Sequence, residues 1–123
     1  FKMDQKLPKT ERLHGETSVS QLFMKGKGFS VFPLRVVYLK RNDSLPDRIV
    51  ASVSKKRFKH ALDRNRVKRL IRETFRKNKP CMSLDIGFIF LSDQIPSYLE
   101  MESAMHKVVA KLKQTDRAVL TKE

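Results

Sequence analysis

The sequence is poor in the residues that staple small folds. One cysteine among 123 residues rules out an internal disulfide, and with it a zinc finger or ribbon built on several cysteines. Cys81 reads as a half-buried thiol near the start of a strand, and a reducing, cytoplasmic location fits it best. Tryptophan is absent and tyrosine occurs twice, beside eight phenylalanines, so the aromatic residues are either core or stacking surfaces. No stretch approaches the roughly 18 consecutive apolar residues of a spanning helix. The opening FKMDQKLPKTERL has no apolar core of the signal-peptide kind, and no membrane association is expected. Acid is scarce: 13 carboxylates face 27 lysines and arginines, a formal charge of +14. Such a charge does not help a small chain to fold, and it acquires a purpose when a polyanion neutralises it. Nucleic acid leads as the partner, ahead of an anionic membrane surface and an acidic protein.

Hydrolysis by the protein itself would need a nucleophile with a base, or carboxylates converging on a metal. The carboxylates Asp43, Asp47, Asp63, Glu73, Asp85 and Asp93 are scattered, and His14, His60 and His106 stand alone. No catalytic residue and no protein metal ligand is assigned. The segment KGKGFS at 25–30 is not a nucleotide-binding fingerprint, because no strand precedes it and the Walker pattern is missing.

What the chain has in quantity is concentrated cation. Residues 54–79 read SKKRFKHALDRNRVKRLIRETFRKNK, opposed only by Asp63 and Glu73. Val67, Leu70, Ile71, Thr74 and Phe75 recur at spacings of three and four, the pattern of one helix face. At about 100° per residue, Asn65, Arg69, Arg72 and Arg76 fall opposite. One helix thus has an apolar seam for the core and a cationic face for phosphates. The candidate nucleic-acid-binding residues are Lys55, Lys56, Arg57, Lys59, Arg64, Asn65, Arg66, Lys68, Arg69, Arg72 and Arg76. Arg adds forked hydrogen bonding to charge, and Asn65 can bond a phosphate, a 2′-hydroxyl or a base. A merely solvated face is the plain alternative, and the unevenness of charge along the chain counts against it. A membrane-surface helix would need a broader apolar face. Phe23, Phe29, Phe32 and Tyr38, if exposed, can stack unpaired bases. Core burial is favoured for Phe23 and Phe88, and evenly balanced for Phe32 and Tyr38.

Residues 1–12 read as an extended arm anchored by Leu7 and Leu13, 13–114 as a single α+β nucleic-acid-binding domain, and 115–123 as a flexible tail. Within the domain a short helix is expected over Glu16–Lys25, with Val19, Leu22 and Phe23 apolar and Gly26 at C′. A flexible basic turn follows. Residues 29–40 form strand, split at Pro33; Leu34, Val36 and Tyr38 share one face, Arg35, Val37 and Leu39 the other. A turn over 41–47 leads to a strand at 48–54, in hairpin relation to its predecessor by short separation. Asp63 serves as N-cap for a helix from Arg64 to about Lys77. The apolar run at 84–91 suits a well-covered central strand. Ser97 and Glu100 form a capping box for a last helix to about Lys113, buried through Met101, Ala104, Met105, Val108 and Leu112. This order describes a small α+β sandwich, with a ferredoxin-like split βαβ as the alternative topology.

The run SVSKKRFKHALDRNRVKRLIRETFR, residues 52–76, resembles the signature region of the bacterial ribonuclease P protein family. The resemblance spans about residues 6–113. It includes K-x-x-R-L before a helix ending L-F-x-x-G, then L-x-V-V-Y and D-I-x-F-I. It implies an α-β-β-β-α-β-α fold similar to the second domain of ribosomal protein S5. The strands at 48–54 and 84–91 would then be parallel neighbours joined by a left-handed crossover, where general chain topology favours the right-handed form. It implies a subunit of a ribonucleoprotein endoribonuclease that removes the 5′ leader from precursor tRNA and leaves a 5′-phosphate on the mature tRNA. The partner catalytic RNA would carry the chemistry and hold most of the Mg2+. The protein would bind catalytic RNA and leader and strengthen substrate and magnesium binding, with no obligate protein partner. The surface around Lys55, Lys56, Arg64, Asn65, Arg66, Lys68, Arg69 and Arg72 would meet the catalytic RNA. A cleft between sheet and first helix would hold the leader, with Val19, Phe23, Tyr38 and Phe32 as its candidates. The chain departs from the family where Val19 replaces a frequent aromatic, and where F-I-F-L-S-D-Q lacks an Arg after the fourth strand. A structural RNA-binding protein of ribosomal type, without processing activity, is the alternative.

Overall fold

The computed structural model describes residues 16–41, 46–80 and 82–122. The arm expected at 1–12 with its anchors Leu7 and Leu13, His14, Asp43 and Cys81 lie outside these residues. In chain order the elements are α1 (Glu16–Lys25), β1 (Lys27–Val31), β2 (Leu34–Lys40), β3 (Arg48–Ser52), α2 (Ala61–Lys77), β4 (Leu84–Phe90) and α3 (Tyr98–Lys122). The α+β order is the expected one. The strand break falls at Phe32–Pro33, whose peptide bond is cis.

The four strands lie in the order β1-β2-β4-β3. β4 pairs antiparallel with β2 and parallel with β3. The expected β2–β3 hairpin therefore does not form. The physical reason is in β4 itself: LDIGFIF is buried along almost its whole length, and an interior place pairs both its edges while helices cover both its faces. It takes the place beside β2, and β3 becomes the outer strand.

The two faces of the sheet carry different cores. Leu34 and Val36 of β2, Ile49 and Ala51 of β3, and Leu84, Ile86, Phe88 and Phe90 of β4 join Val67, Ile71 and Phe75 of α2 and the α3 stripe in the larger cluster. Phe75 meets Phe88 edge-on at 5.9 Å, a favoured aromatic geometry. The opposite face holds a smaller cluster of Leu22 and Val37, flanked by Val19, Leu39 and Val50. So α1 covers one face, and α2 with α3 covers the other.

Local chemistry sets the element ends, with several corrections to the sequence expectation. The segment expected as a basic turn is β1, because Lys27 through Val31 pair with Tyr38 through Leu34. Gly26 alone separates α1 from β1, and its N–H donates to the Leu22 carbonyl at 2.8 Å. Its role is close approach: a β-carbon there would meet the Leu22 carbonyl at 2.4 Å and the Tyr38 carbonyl at 2.8 Å. α2 starts at Ala61 with His60 as N-cap, three residues before the expected start. The His60 carbonyl accepts from Asp63 N–H at 3.1 Å and Arg64 N–H at 3.2 Å. Asp63 therefore lies in the first turn, where its charge favours the helix dipole. At the far end Asn78 donates its side-chain amide to the Thr74 carbonyl at 2.8 Å. α3 opens on a reciprocal capping box, with Ser97 N–H to Glu100 Oε1 at 2.9 Å and Glu100 N–H to Ser97 Oγ at 3.2 Å. Its backbone stays helical to Lys122, beyond the expected end near Lys113.

Asp85 is buried on the α1 face between two arginines. Arg48 forks onto it, Nε to Oδ1 at 2.9 Å and Nη2 to Oδ2 at 3.1 Å, while Arg41 Nη1 reaches Oδ1 at 2.6 Å. Asp47 is also buried and accepts the backbone N–H groups of Met82 and Leu84 at 3.0 and 2.7 Å. These contacts fix the entry of β4 to the start of β3.

Candidate nucleic-acid interface

The cationic surface is built on a tight turn after β3. The Ser54 carbonyl accepts from the N–H groups of Arg57 and Phe58, both at 3.2 Å, and its hydroxyl accepts from Lys56 N–H at 3.1 Å. This local bonding is what serine offers a turn. It turns Lys55, Lys56 and Arg57 to solvent and draws Phe58 beneath them, 6.0 Å from Phe90. Lys59 and His60 are exposed again before α2 begins.

The first turns of α2 complete the surface. Asn65, Arg66 and Arg69 are exposed, while Lys68, Arg72 and Arg76 are half-buried. Arg64 plays a different part, since its Nη1 donates to the carbonyls of Phe58 and Lys59, each at 2.9 Å. It holds the turn against the helix, so the charges from 55 to 59 are presented on a fixed backbone. Arg57 is drawn to Asp93 at 3.1 Å, an exposed pair of small energetic worth. The Nε of Arg76 is buried without a hydrogen-bond partner; its stem packs against protein. The candidate residues from 55 to 72 thus share the loop and the outer side of one helix. Arg76 continues that side toward the helix end.

The four candidate leader residues do not converge. Val19 and Phe23 lie on α1, over the Val37–Gly87–Val50 row of the sheet. Phe23 is 41% exposed, against the expectation of core. Tyr38 lies on the other face: it pairs with Ile86, and its ring stands 5.9 Å from Phe29, above which Lys111 Nζ sits at 5.5 Å. β alternation places Tyr38 with Leu34 and Val36, and that is the face covered by α3, not by α1. Phe32 is 74% exposed at the β1–β2 turn, with Pro33, Ile95 and Leu99 around it.

Sequence reasoning missed the floor beneath Phe23. A β-carbon on Gly87 would stand 2.9 Å from Phe23 Cζ and 3.2 Å from Leu22 Cδ2, so only glycine lets the ring descend onto β4. The next row toward the basic turn is Arg35–Ile89–Ser52. Arg35 and Ser52 are exposed and Ile89 half-buried. Arg35 Nη1 donates to Ser30 Oγ at 3.3 Å. An aromatic ring, an apolar position and a guanidinium thus lie on one open sheet face, next to the end of β3 that leads into the cationic turn. The signal in sequence was the lone glycine within an apolar strand.

Among the described residues no group of three His, Cys, Asp or Glu side chains comes together as a metal site, and no helix is long and apolar enough to cross a membrane. What the arrangement offers is charge, hydrogen-bond donors and a stacking ring.

A family model described as Ribonuclease P matches residues 7–113. The ribonuclease P protein component of Porphyromonas gingivalis is 38% identical over 117 residues, covering 86% of this chain and 85% of the relative. That of Clostridium kluyveri is 32% identical over 105 residues, covering 81% and 92%. Among solved structures, the RNase P protein from Thermotoga maritima is similar with a TM-score of 0.72 at 23% identity, covering 82% of this chain and 96% of that one. The Staphylococcus aureus RNase P protein gives 0.71 at 24% identity, covering 85% and 96%. At these identities the two structures speak for the fold.

Proposed function

Because the chain belongs to the ribonuclease P protein family, we propose that it is the accessory subunit of a ribonucleoprotein endoribonuclease that removes the 5′ leader from precursor tRNA. Membership implies an RNA partner; the proposal is which RNA meets which surface. The observation that carries it is the stapled turn: Arg64 locks the 55–59 backbone, so its cations form a rigid platform continuous with the outer face of α2. A pre-formed platform loses little ordering entropy on binding, and its arginines and lysines position a phosphate backbone rather than read sequence. This surface takes the catalytic RNA. The open face with Phe23, Ile89, Arg35 and Ser52 takes the unpaired leader, Phe23 stacking on a base and Arg35 holding a phosphate. Val19 borders it. Tyr38 has no place in it, and Phe32 is a separate exposed ring.

The two buried carboxylates do not fit a protein-held magnesium ion. Asp85 is saturated by Arg41 and Arg48 and Asp47 by backbone N–H groups. Magnesium in this reading belongs mainly to the RNA, and the protein acts on it by screening phosphate repulsion as substrate docks. The assembly would work in the cytoplasm, where precursor tRNA is processed.

Reconstitution with a cognate catalytic RNA at low magnesium tests the reading. Added protein is expected to raise cleavage of a leader-bearing precursor and to leave a 5′-phosphate on the mature tRNA. No gain at any protein concentration would sink it.

A further inference from the structure

A second cationic site lies away from the turn, between the C-terminal end of α2 and the middle of α3. It is an open cleft of about 480 Å³. Lys77, Lys79, His106 and Lys113 line it, over a floor that includes Val109 and Ala110, and among the described residues no carboxylate is in the lining. Lys77 Nζ lies 4.9 Å from the centre of the Tyr98 ring. A hydrogen bond with Tyr98 and the Tyr98 charge push its pKa up, with Glu102 adding to the same effect and Arg76 opposing it. Lys77 therefore stays an ammonium. Glu102 reaches it from beside Tyr98, whose hydroxyl donates to Glu102 at 3.5 Å, and stays outside the cleft lining.

Lysines gathered along one concavity make it electropositive, and such a surface draws a polyanion. Lysine acts as a point charge, suited to a backbone phosphate and indifferent to sequence. From Asn65 to Lys77 the helix rises about 18 Å at about 1.5 Å per residue, too far for one phosphate to touch both sites. We infer that this cleft is a second RNA-backbone site, at the opposite end of α2 from the stapled turn. One helix then holds the catalytic RNA at two separated points. The inference rests on the RNA-binding reading above. It adds a contact made by α3 and the last turn of α2.

Two variants of the full chain separate the possibilities. Lys77→Gln with Lys113→Gln neutralises the cleft, and Arg66→Gln with Arg69→Gln neutralises the outer face of α2. Each is titrated with the catalytic RNA over a salt series, with thermal unfolding as control. The cleft variant is expected to unfold as the wild type does and to bind about tenfold more weakly. The magnitude of its salt slope should be lower by about 1.4 to 1.8, the loss of two phosphate contacts. If it binds as wild type with an unchanged slope while the α2 variant weakens, the cleft inference is overturned and the RNA-binding reading stands. If neither variant changes binding, both fall. Should the double variant unfold early because Lys77 leaves Tyr98, the exposed single change Lys113→Gln carries the measurement, with about half the slope change expected. Inorganic phosphate shifting the amide resonances of 106–113, with RNA binding unaltered in the variants, would mark the cleft as a free-anion site and overturn the inference.

Discussion

The Phe23 ring rests on Gly87: its Cζ lies 2.9 Å from where a β-carbon on that residue would stand. A helix residue and a central-strand residue, 64 positions apart by their numbers, thus set the depth of the proposed leader surface together. Gly87→Ala forces ring or helix outward. Overpacking of this kind costs about 1–3 kcal/mol. Urea unfolding should show that loss, with binding of leader-bearing precursor reduced alongside it.

Phe23→Ala separates stacking from packing. The ring is 41% exposed, so its removal should cost less stability than truncating a fully buried Phe. Stacking on a base is worth about 1–3 kcal/mol. Affinity of the reconstituted enzyme for leader-bearing precursor should fall by that amount, with leaderless tRNA unaffected. Equal losses for both substrates would reassign Phe23 to scaffold duty.

Arg64 and Arg66 are close in sequence and differ in role. Arg64→Ala frees the carbonyls of Phe58 and Lys59 and loosens the turn; a loss of about 1 kcal/mol in stability is expected, together with weaker RNA binding. Arg66→Gln should leave the unfolding midpoint nearly unchanged and reduce the salt slope by about 0.7–0.9. Comparing denaturation and salt titration for the two variants checks the division. An Arg66→Gln chain that loses stability while keeping its salt slope would reverse it.

Asp85→Ala leaves Arg41 and Arg48 without their shared carboxylate. Arg41 is nearly as buried as the aspartate, their side chains 10% and 8% exposed. Removing one partner of such a buried pair costs about 3–5 kcal/mol. A midpoint in urea close to that of the wild type would mean that water already compensates both guanidinium groups.

The Glu100 carboxyl is held below its ordinary range by the Ser97 N–H and then by the Ser97 hydroxyl contact. A depressed carboxylate adds stability above its unfolded pKa and loses it as pH falls through the lower folded value. Between pH 6 and 3 the melting temperature of the wild type should therefore drop more steeply than that of Glu100→Gln. Parallel curves would show that the cap does not depend on the charge.

Several local patterns were readable where one element decides the outcome, though the N-cap of α2 is His60 and not Asp63. The α1 bounds, the strand break at Pro33, the α3 stripe and the Ser97–Glu100 reciprocity all rest on spacing within about a dozen residues. Alternation also grouped Tyr38 with Leu34 and Val36 correctly. Which helix covers that face is a tertiary fact, so Tyr38 was joined in expectation to the wrong cleft. The strand order was hidden for the same reason: a short connection suggests a hairpin, and the claim of β4 to the interior place outweighs it. On the cationic surface residue types announced the chemistry, but charge alone cannot distinguish Arg64, which binds its own backbone, from Arg66, which faces solvent.

The place of β4 has a consequence for the order of events on the ribosome. Three strands and the cationic helix are complete before residue 84 is made, yet β2 and β3 have no ladder partner in common until β4 inserts between them. A nascent chain carrying α2 without its seat would expose an apolar seam backed by arginines in a compartment full of RNA. Vectorial synthesis therefore delivers the most adhesive segment before the strand that seats it.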